Sequence, residues 1–198
     1  EGRWQEPTEP YVTMRGAELA GRTLGIIGLG NVGRRVSALA GQMFAMRVIA
    51  YDPYITPEDF SEQGAQQVSF DDVFTEADFV SLNCPLTEET KSMVGRREFE
   101  LMKPTAYFIT TARGGIHDEG ALAAVMSEGG IAGAGLDVFA EEPPPLDHPL
   151  LEFDNVIVSP HIAGVTDDCT YKMASWAAEQ WLTIFRGACP PRLVNPDV

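Results

Sequence analysis

Thr23-Leu24-Gly25-Ile26-Ile27-Gly28-Leu29-Gly30-Asn31-Val32-Gly33 decides the reading of this chain. Its first five residues form a short apolar run of strand length, and Val32, Val36, Leu39, Ala40 and Met43 then recur at helical spacing. A strand passing straight into a helix through three glycines is the context in which G-x-G-x-x-G is informative; alone it marks only a glycine-rich turn. Gly28 permits the tight turn, Gly30 lets backbone approach a pyrophosphate, and Gly33 lets helix and strand pack closely. The free N–H groups of the helix start, beginning at Asn31 and Val32, face the phosphates.

The second apolar run, Arg47-Val48-Ile49-Ala50-Tyr51, ends in Asp52, nineteen residues beyond Gly33. A carboxylate at that distance accepts hydrogen bonds from the adenosine ribose hydroxyls and repels a 2′-phosphate. No Arg or Lys follows it, since Pro53-Tyr54-Ile55 come next, and this selects NAD over NADP. The turn by itself leaves S-adenosylmethionine methyltransferases and FAD proteins open, because one scaffold serves many chemistries.

Strands are predicted at 23–28, 47–52, 67–69, 79–83, 106–111, 132–137 and 156–159, and helices at 32–45, 57–63, 70–76, 97–102, 119–127 and 167–186. Thr56 before Pro57, Ser69 before Asp71 and Asp72, and Thr166 before Asp167 and Asp168 supply helix-start signals. Strict alternation of this kind predicts an α/β fold: a Rossmann-type, doubly wound parallel sheet of about seven strands in the order 3-2-1-4-5-6-7. The expected organisation is one domain at 19–186, preceded by an arm at 1–18 and followed by a proline-containing tail at 187–198.

Bulk properties narrow the function. No apolar run exceeds strand length, so no membrane span is expected. A net charge of -15, with the acids scattered, argues against nucleic acid, whose phosphates need clustered cations. Cys84, Cys169 and Cys189 are odd in number and lack metal-ligand spacing, which suits a reducing cytoplasm and predicts neither disulfide framework nor metal site. Glu1-Gly2-Arg3-Trp4 is no signal peptide and no initiator Met is present, as expected of a stretch taken from a longer chain.

In open parallel sheets the ligand lies outside the carboxyl ends of the strands. Thr111-Ala112-Arg113-Gly114-Gly115 follows the fifth strand, Asp137-Val138-Phe139-Ala140-Glu141-Glu142-Pro143 the sixth, and Ser159-Pro160-His161-Ile162-Ala163-Gly164 the seventh. An Arg, a Glu and a His thus emerge on one edge. Hydride transfer to a 2-keto acid calls for such groups: a cation for the carboxylate, a proton donor for the carbonyl oxygen, and an acid to tune that donor.

With these residues in place, the chain resembles the D-isomer-specific D-2-hydroxyacid dehydrogenase family, which includes D-3-phosphoglycerate dehydrogenases and glyoxylate/hydroxypyruvate reductases. Six ordered motifs carry the resemblance: Gly28–Gly33, Tyr51-Asp52-Pro53, Cys84-Pro85-Leu86-Thr87, Ala112-Arg113-Gly114-Gly115, Asp137-Val138-Phe139 through Glu142-Pro143, and Pro160-His161-Ile162-Ala163-Gly164. The resemblance implies that Arg113 grips the substrate carboxylate, that His161 is the general acid/base, and that Glu142 hydrogen-bonds His161 and raises its pKa. It also implies contacts to NAD from Asn31, Val32, Cys84, Pro85, Thr111, Ala112, Arg113, Asp137, His161, Ala163 and Gly164.

Not everything conforms. His117 stands where the family commonly has an apolar residue, and no role is assigned to it; His148 reads as a loop anchor. Trp176, Trp181 and Phe185 read as core or interdomain packing. Nothing corresponds to the family's substrate-side domain, although Leu193-Val194-Asn195-Pro196 looks like the segment that returns to it. The resemblance further implies a homodimer formed by the cofactor domain, with Trp4, Tyr11, Val12 and Met14 of the arm as apolar anchors. Two rival functions share the scaffold: an NAD(H)-sensing corepressor-like protein and a formate dehydrogenase, the second disfavoured by Glu142.

Overall fold

Strand β1 (Thr23–Ile27), buried at every position, begins an alternating series in the computed structural model, which describes residues 16–191 and residue 193. The series runs α1 (Asn31–Phe44), β2 (Arg47–Tyr51), α2 (Pro57–Glu62), β3 (Gln66–Gln67), α3 (Phe70–Glu76), β4 (Phe79–Leu82), α4 (Arg96–Leu101) and β5 (Tyr107–Thr110). It continues with α5 (Glu119–Ser127), β6 (Gly133–Leu136), a 3₁₀ turn at Pro149–Leu151, β7 (Val156–Val158) and α6 (Asp167–Phe185). The arm anchors Trp4, Tyr11, Val12 and Met14, and Val194-Asn195-Pro196 of the tail, lie outside the described residues.

All seven strands are parallel and ordered β3-β2-β1-β4-β5-β6-β7, so the expected fold and strand order are both found. The period of two along a strand divides the core. Leu24 and Ile26 of β1 join Ala40, Val48, Ala50 and Phe60 in one cluster, whereas Ile27 joins Val73, Phe74, Val80, Leu82, Phe99, Phe108 and Leu136 in the other. Removing this apolar surface from water, at roughly 25 cal/mol per Å², is the main force holding the layers together.

The helix starts follow from local chemistry. Thr56 with Asp59 and Ser69 with Asp72 form reciprocal capping boxes, and the Thr166 hydroxyl accepts from the Cys169 N–H at 3.0 Å. Each cap stabilises its helix by about 1 kcal/mol. At the opposite edge of the sheet from the strand ends, Asp78 accepts from the Thr23 N–H at 2.8 Å and pairs with Lys103 at 3.0 Å. Burial raises the Asp78 pKa, but those two partners outweigh it and hold the carboxyl below the usual range.

One feature differs from expectation. Strand β3 pairs only Gln66 and Gln67, against Ile49 and Ala50, instead of occupying 67–69. The neighbouring Ser69 is taken as the α3 cap, which ends the extended run early. The chain forms two compact units that meet in sequence after Pro160. The first holds the whole sheet; the second, from His161, is built on α6, which has no buried residue. Among the described residues of this unit α6 is the one regular element, and its Trp176, Trp181 and Phe185 are all exposed.

Candidate cofactor and active site

The three turn glycines are distinguished by what surrounds them. Gly28 has φ +89°, and a Cβ there would lie 2.8 Å from the Cys84 backbone nitrogen. At Gly33 a Cβ would meet the Gly28 carbonyl oxygen at 2.1 Å, whereas at Gly30 it would meet nothing within 4 Å. Gly28 and Gly33 are therefore required by the protein's own packing, and Gly30 leaves open space for a ligand. Helix α1 begins at Asn31 with Gly30 as its cap, without a capping side chain or an acid in its first turn. Its N–H groups and positive dipole end are thus suited to an anion.

Asp52 ties this turn to the end of β2. One carboxylate oxygen accepts from the Leu29 N–H at 2.8 Å and the other from the Tyr54 N–H at 2.9 Å. Each oxygen keeps a further acceptor site, so the carboxylate can brace the turn and still receive ribose hydroxyls. Arg34 completes the brace, its Nε donating to the Leu29 carbonyl at 3.0 Å. Sequence reading did not assign Arg34, and only its place one residue after Gly33 hinted at it.

Beside Asp52 lies a cavity of about 470 Å³, lined among others by Gly28, Gly30, Tyr54, Phe70, Cys84 and Pro85. Its volume is that of a small-ligand site. Of the residues expected to contact NAD, Gly28, Gly30, Asp52, Cys84 and Pro85 line this one hollow at the β1, β2 and β4 ends, whereas Asn31, Val32 and Gly33 are not in its lining. The Cys84 thiol is pushed up to about 11 by burial, with the negative charge of Asp52 adding to it. It is therefore a neutral lining group at physiological pH and not a nucleophile. At the mouth, the exposed Tyr54 hydroxyl donates to Glu89, which raises the phenol pKa above its ordinary value. Neither Tyr54 nor Glu89 was singled out from sequence.

At the other end of the sheet, Thr111, Ala112 and Arg113 follow β5. The Thr110 hydroxyl accepts from the Ala112 N–H at 3.3 Å, and exposed Arg113 donates to the Ala112 carbonyl at 2.6 Å. A Cβ on Gly114 would lie 1.9 Å from the Phe139 carbonyl oxygen, so this glycine lets the loop after β5 press against the loop after β6. Asp137 is buried and accepts from the Ser159 hydroxyl at 2.6 Å. Glu142 accepts from the Phe139 N–H at 3.0 Å through one carboxylate oxygen.

That second loop is pinned from α5. Glu119 accepts from the Ala140 N–H at 2.6 Å with one oxygen and meets His148 Nε2 at 3.1 Å with the other. His148 Nδ1 accepts from the Leu150 N–H, so Nε2 carries the proton donated to Glu119. The ring also stands edge-on to Phe139, at 5.3 Å between centroids. His148 is the loop anchor expected of it. His117 is the reverse case: it is 2% exposed and neither ring nitrogen has a hydrogen-bond partner. Burial lowers its pKa, opposed by the charges of Glu119 and Asp118.

His161 opens the second unit, with φ +54° in the left-handed region that strains a non-glycine residue. The Val165 N–H donates to the Ile162 carbonyl at 2.9 Å, closing a turn that contains Ala163 and Gly164 ahead of α6. The residues carried over from the family motifs therefore fall in both units, Arg113, Asp137 and Glu142 in the first and His161, Ala163 and Gly164 in the second.

A central parallel sheet, a glycine turn with one open position, a carboxylate closing the second strand and an adjoining cavity define a dinucleotide-binding domain. Residues 1–163 match the model of the D-isomer specific 2-hydroxyacid dehydrogenase NAD binding domain, and the chain belongs to that family. A glyoxylate reductase of Korarchaeum cryptofilum (strain OPF8) is 44% identical, the match covering 100% of this chain and 59% of that protein. A D-3-phosphoglycerate dehydrogenase of Methanocaldococcus jannaschii is 42% identical over 91% of this chain and 34% of its own length. Among solved structures, the NAD complex of a D-isomer specific 2-hydroxyacid dehydrogenase from Lactobacillus delbrueckii ssp. bulgaricus superimposes with a TM-score of 0.83 at 34% identity, covering 91% of this chain and 58% of the other. D-lactate dehydrogenase with NAD+ from Lactobacillus jensenii gives 0.85 at 31% identity, over 92% and 58%. The chain thus spans somewhat more than half the length of several of its relatives, and NAD is its cofactor. Among the described residues no helix is long and apolar enough to cross a membrane.

Proposed function

We propose that this domain serves an NAD-dependent 2-hydroxyacid dehydrogenase that interconverts a D-2-hydroxy acid and its 2-keto acid. The observation that supports the reading is the paired loops after β5 and β6: Gly114 seats one against the other, and Arg113 and Glu142 lie on these loops at the carboxyl edge of the sheet that also carries the glycine turn. NAD supplies the hydride chemistry when bound. Arg113 binds the substrate carboxylate as a guanidinium–carboxylate pair, which orients the carbonyl. His161 gives a proton to the carbonyl oxygen during reduction and takes it back during oxidation. Glu142 favours the imidazolium and so holds the proton on His161 near neutral pH.

The test compares this chain with a longer protein that also carries a substrate-side domain. Both should bind NADH. This chain should reduce glyoxylate, hydroxypyruvate or pyruvate at least about a thousandfold more slowly, because positioning and water exclusion supply several kcal/mol and each ~1.4 kcal/mol is a factor of ten. Comparable turnover by the two would show that the substrate site is self-contained. In the longer protein Glu142→Gln should shift the pH profile of reduction downward; an unshifted profile removes Glu142 from that role.

Assembly and location belong to the same reading. Helix α1 exposes Val32, Leu39, Met43 and Phe44, an apolar surface suited to a symmetric subunit contact. A homodimer is expected by light scattering at tens of micromolar, and a monomer mass refutes it. Cys84, Cys169 and Cys189 are all free thiols, which supports a cytoplasmic protein.

A further inference from the structure

We infer that Glu89, held by Tyr54 at the mouth of the adenosine cavity, is a second determinant of the preference for NAD over NADP. Asp52 is the family's carboxylate for this purpose, but here it is not alone. Tyr54 links two carboxylates: its backbone N–H donates to Asp52 at 2.9 Å and its side-chain hydroxyl donates to Glu89. Asp52, Tyr54 and Glu89 all line the same cavity, and they reach it from two different loops, one after β2 and one after β4.

The chemistry follows from charge and geometry. A free glutamate on an exposed loop samples many rotamers and is screened by water. Accepting from a tyrosine whose backbone is fixed to Asp52 confines the Glu89 carboxylate to the cavity side. Its charge is then held at the lip of the cavity, exposed to solvent and partly screened, on the side where the adenosine ribose would lie. NAD presents neutral hydroxyls there, which a carboxylate tolerates, whereas NADP presents a 2′-phosphate carrying close to two negative charges. Among the described residues, no Lys or Arg lines the cavity to offset it. Exclusion of NADP is thus divided between two lips of one pocket, and removing either carboxylate leaves the other in place.

The inference rests on this hollow being the NAD site, and the measurements keep the two apart. Calorimetric titration of the free domain gives NAD+ and NADP+ affinities for wild type, Glu89→Gln, Tyr54→Phe and Glu88→Gln. Glu88→Gln makes the same charge change one residue away, at a position outside the cavity lining. For Glu89→Gln, NAD+ affinity should hold within about twofold and NADP+ affinity should rise about fivefold, the size expected of one partly screened charge acting on a dianion. Tyr54→Phe should give a smaller rise, because Glu89 is released but stays charged. Added salt should narrow the wild-type preference more than that of Glu89→Gln.

A readout without cofactor tests the contact itself. The difference between the wild-type and Tyr54→Phe ultraviolet titrations isolates the Tyr54 phenol, and Glu89→Gln should bring its raised pKa back down. Three results overturn the inference: an unchanged NADP+ affinity in Glu89→Gln, an equal gain in Glu88→Gln, or a Tyr54 titration indifferent to Glu89. If the wild-type domain binds neither cofactor, the site assignment itself fails and takes this inference with it. Firm NAD+ binding with any of those three results refutes the role of Glu89 alone.

Discussion

At the β1–β4 end of the sheet, recognition elements are held by backbone and by residues of one unit: Gly28 against Cys84, Gly33 against Gly28, and Asp52 on the Leu29 N–H. At the β5–β7 end, Arg113 and Glu142 are exposed on loops, and His161 begins a separate unit. The first end is a finished hollow before any ligand arrives. At the second, the side chains proposed for the chemistry stand on exposed loops and are not gathered round that hollow. A cofactor that must be bound and exchanged at each turnover benefits from a rigid, pre-formed seat, because little conformational freedom remains to be lost on binding. Chemistry that must exclude water and then release product needs parts that come together and separate.

The largest effect that sharpens this contrast is Gly33→Ala. A Cβ 2.1 Å from a backbone oxygen cannot be relieved by a side-chain rotation. The change should cost more than about 4 kcal/mol and abolish NAD binding, read by thermal melts and calorimetry. Gly114→Ala meets the Phe139 carbonyl at 1.9 Å and should cost a similar amount of stability. Its damage should stay local to the β5 and β6 loops, with adenosine-end resonances in place by NMR. If both variants lose the adenosine hollow equally, the two ends are one cooperative structure and the contrast is broken.

Next in size is His117→Leu, which removes a buried ring with no hydrogen-bond partner and should stabilise the domain by about 1–3 kcal/mol. The sign of the pH effect is set by the lowered pKa of the folded state. The unfolded chain takes up a proton near the ordinary value of about 6.5, while the folded protein resists it until lower pH, so stability falls as pH drops through that window. The Leu variant should lose that part of the acid slope in urea melts at pH 7 and pH 5; a parallel loss in both proteins refutes the assignment.

Gly30→Ala is the intermediate case and separates ligand space from protein packing. With nothing within 4 Å of the added Cβ, stability should change by less than about 1 kcal/mol, the ordinary range for glycine to alanine at a helix start. NAD affinity should fall about tenfold, roughly 1.4 kcal/mol, because the methyl occupies the approach to the pyrophosphate. The smallest effect is Arg113→Ala, expected to move stability by under about 0.5 kcal/mol as an exposed loop substitution. NADH affinity should stay within a few-fold while reduction in a longer protein collapses. A large loss of NADH binding would mean that the reacting end helps hold the cofactor.

Much of this was legible because it is local. The glycine turn, the carboxylate after β2, the Thr56, Ser69 and Thr166 caps and the strand order all follow from patterns within a few residues or from alternation along the chain. What sequence reading missed comes from contacts between distant residues. Tyr54 meets Glu89 thirty-five positions away, and Glu119 meets His148 at a separation of 29. No periodicity announces such pairs. His117 is instructive in a different way: its departure from an apolar pattern was visible, but only its burial shows that both nitrogens go unsatisfied. The motif Pro160-His161-Ile162-Ala163-Gly164 runs across the boundary of the two compact units, so no local pattern marks that boundary.

The Asp52–Leu29 bond has a consequence for how this domain can change over time. The carboxylate proposed to discriminate among cofactors is also a strut of the glycine turn, joined to it at 2.8 Å. A lineage drifting toward NADP by replacing Asp52 would loosen the turn in the same step, losing grip on the pyrophosphate common to both cofactors. The first mutation on that route is therefore a loss on both counts until a second residue rebuilds the strut. Selection would meet a valley between the two specificities, and the order in which substitutions arrive would decide whether it is crossed.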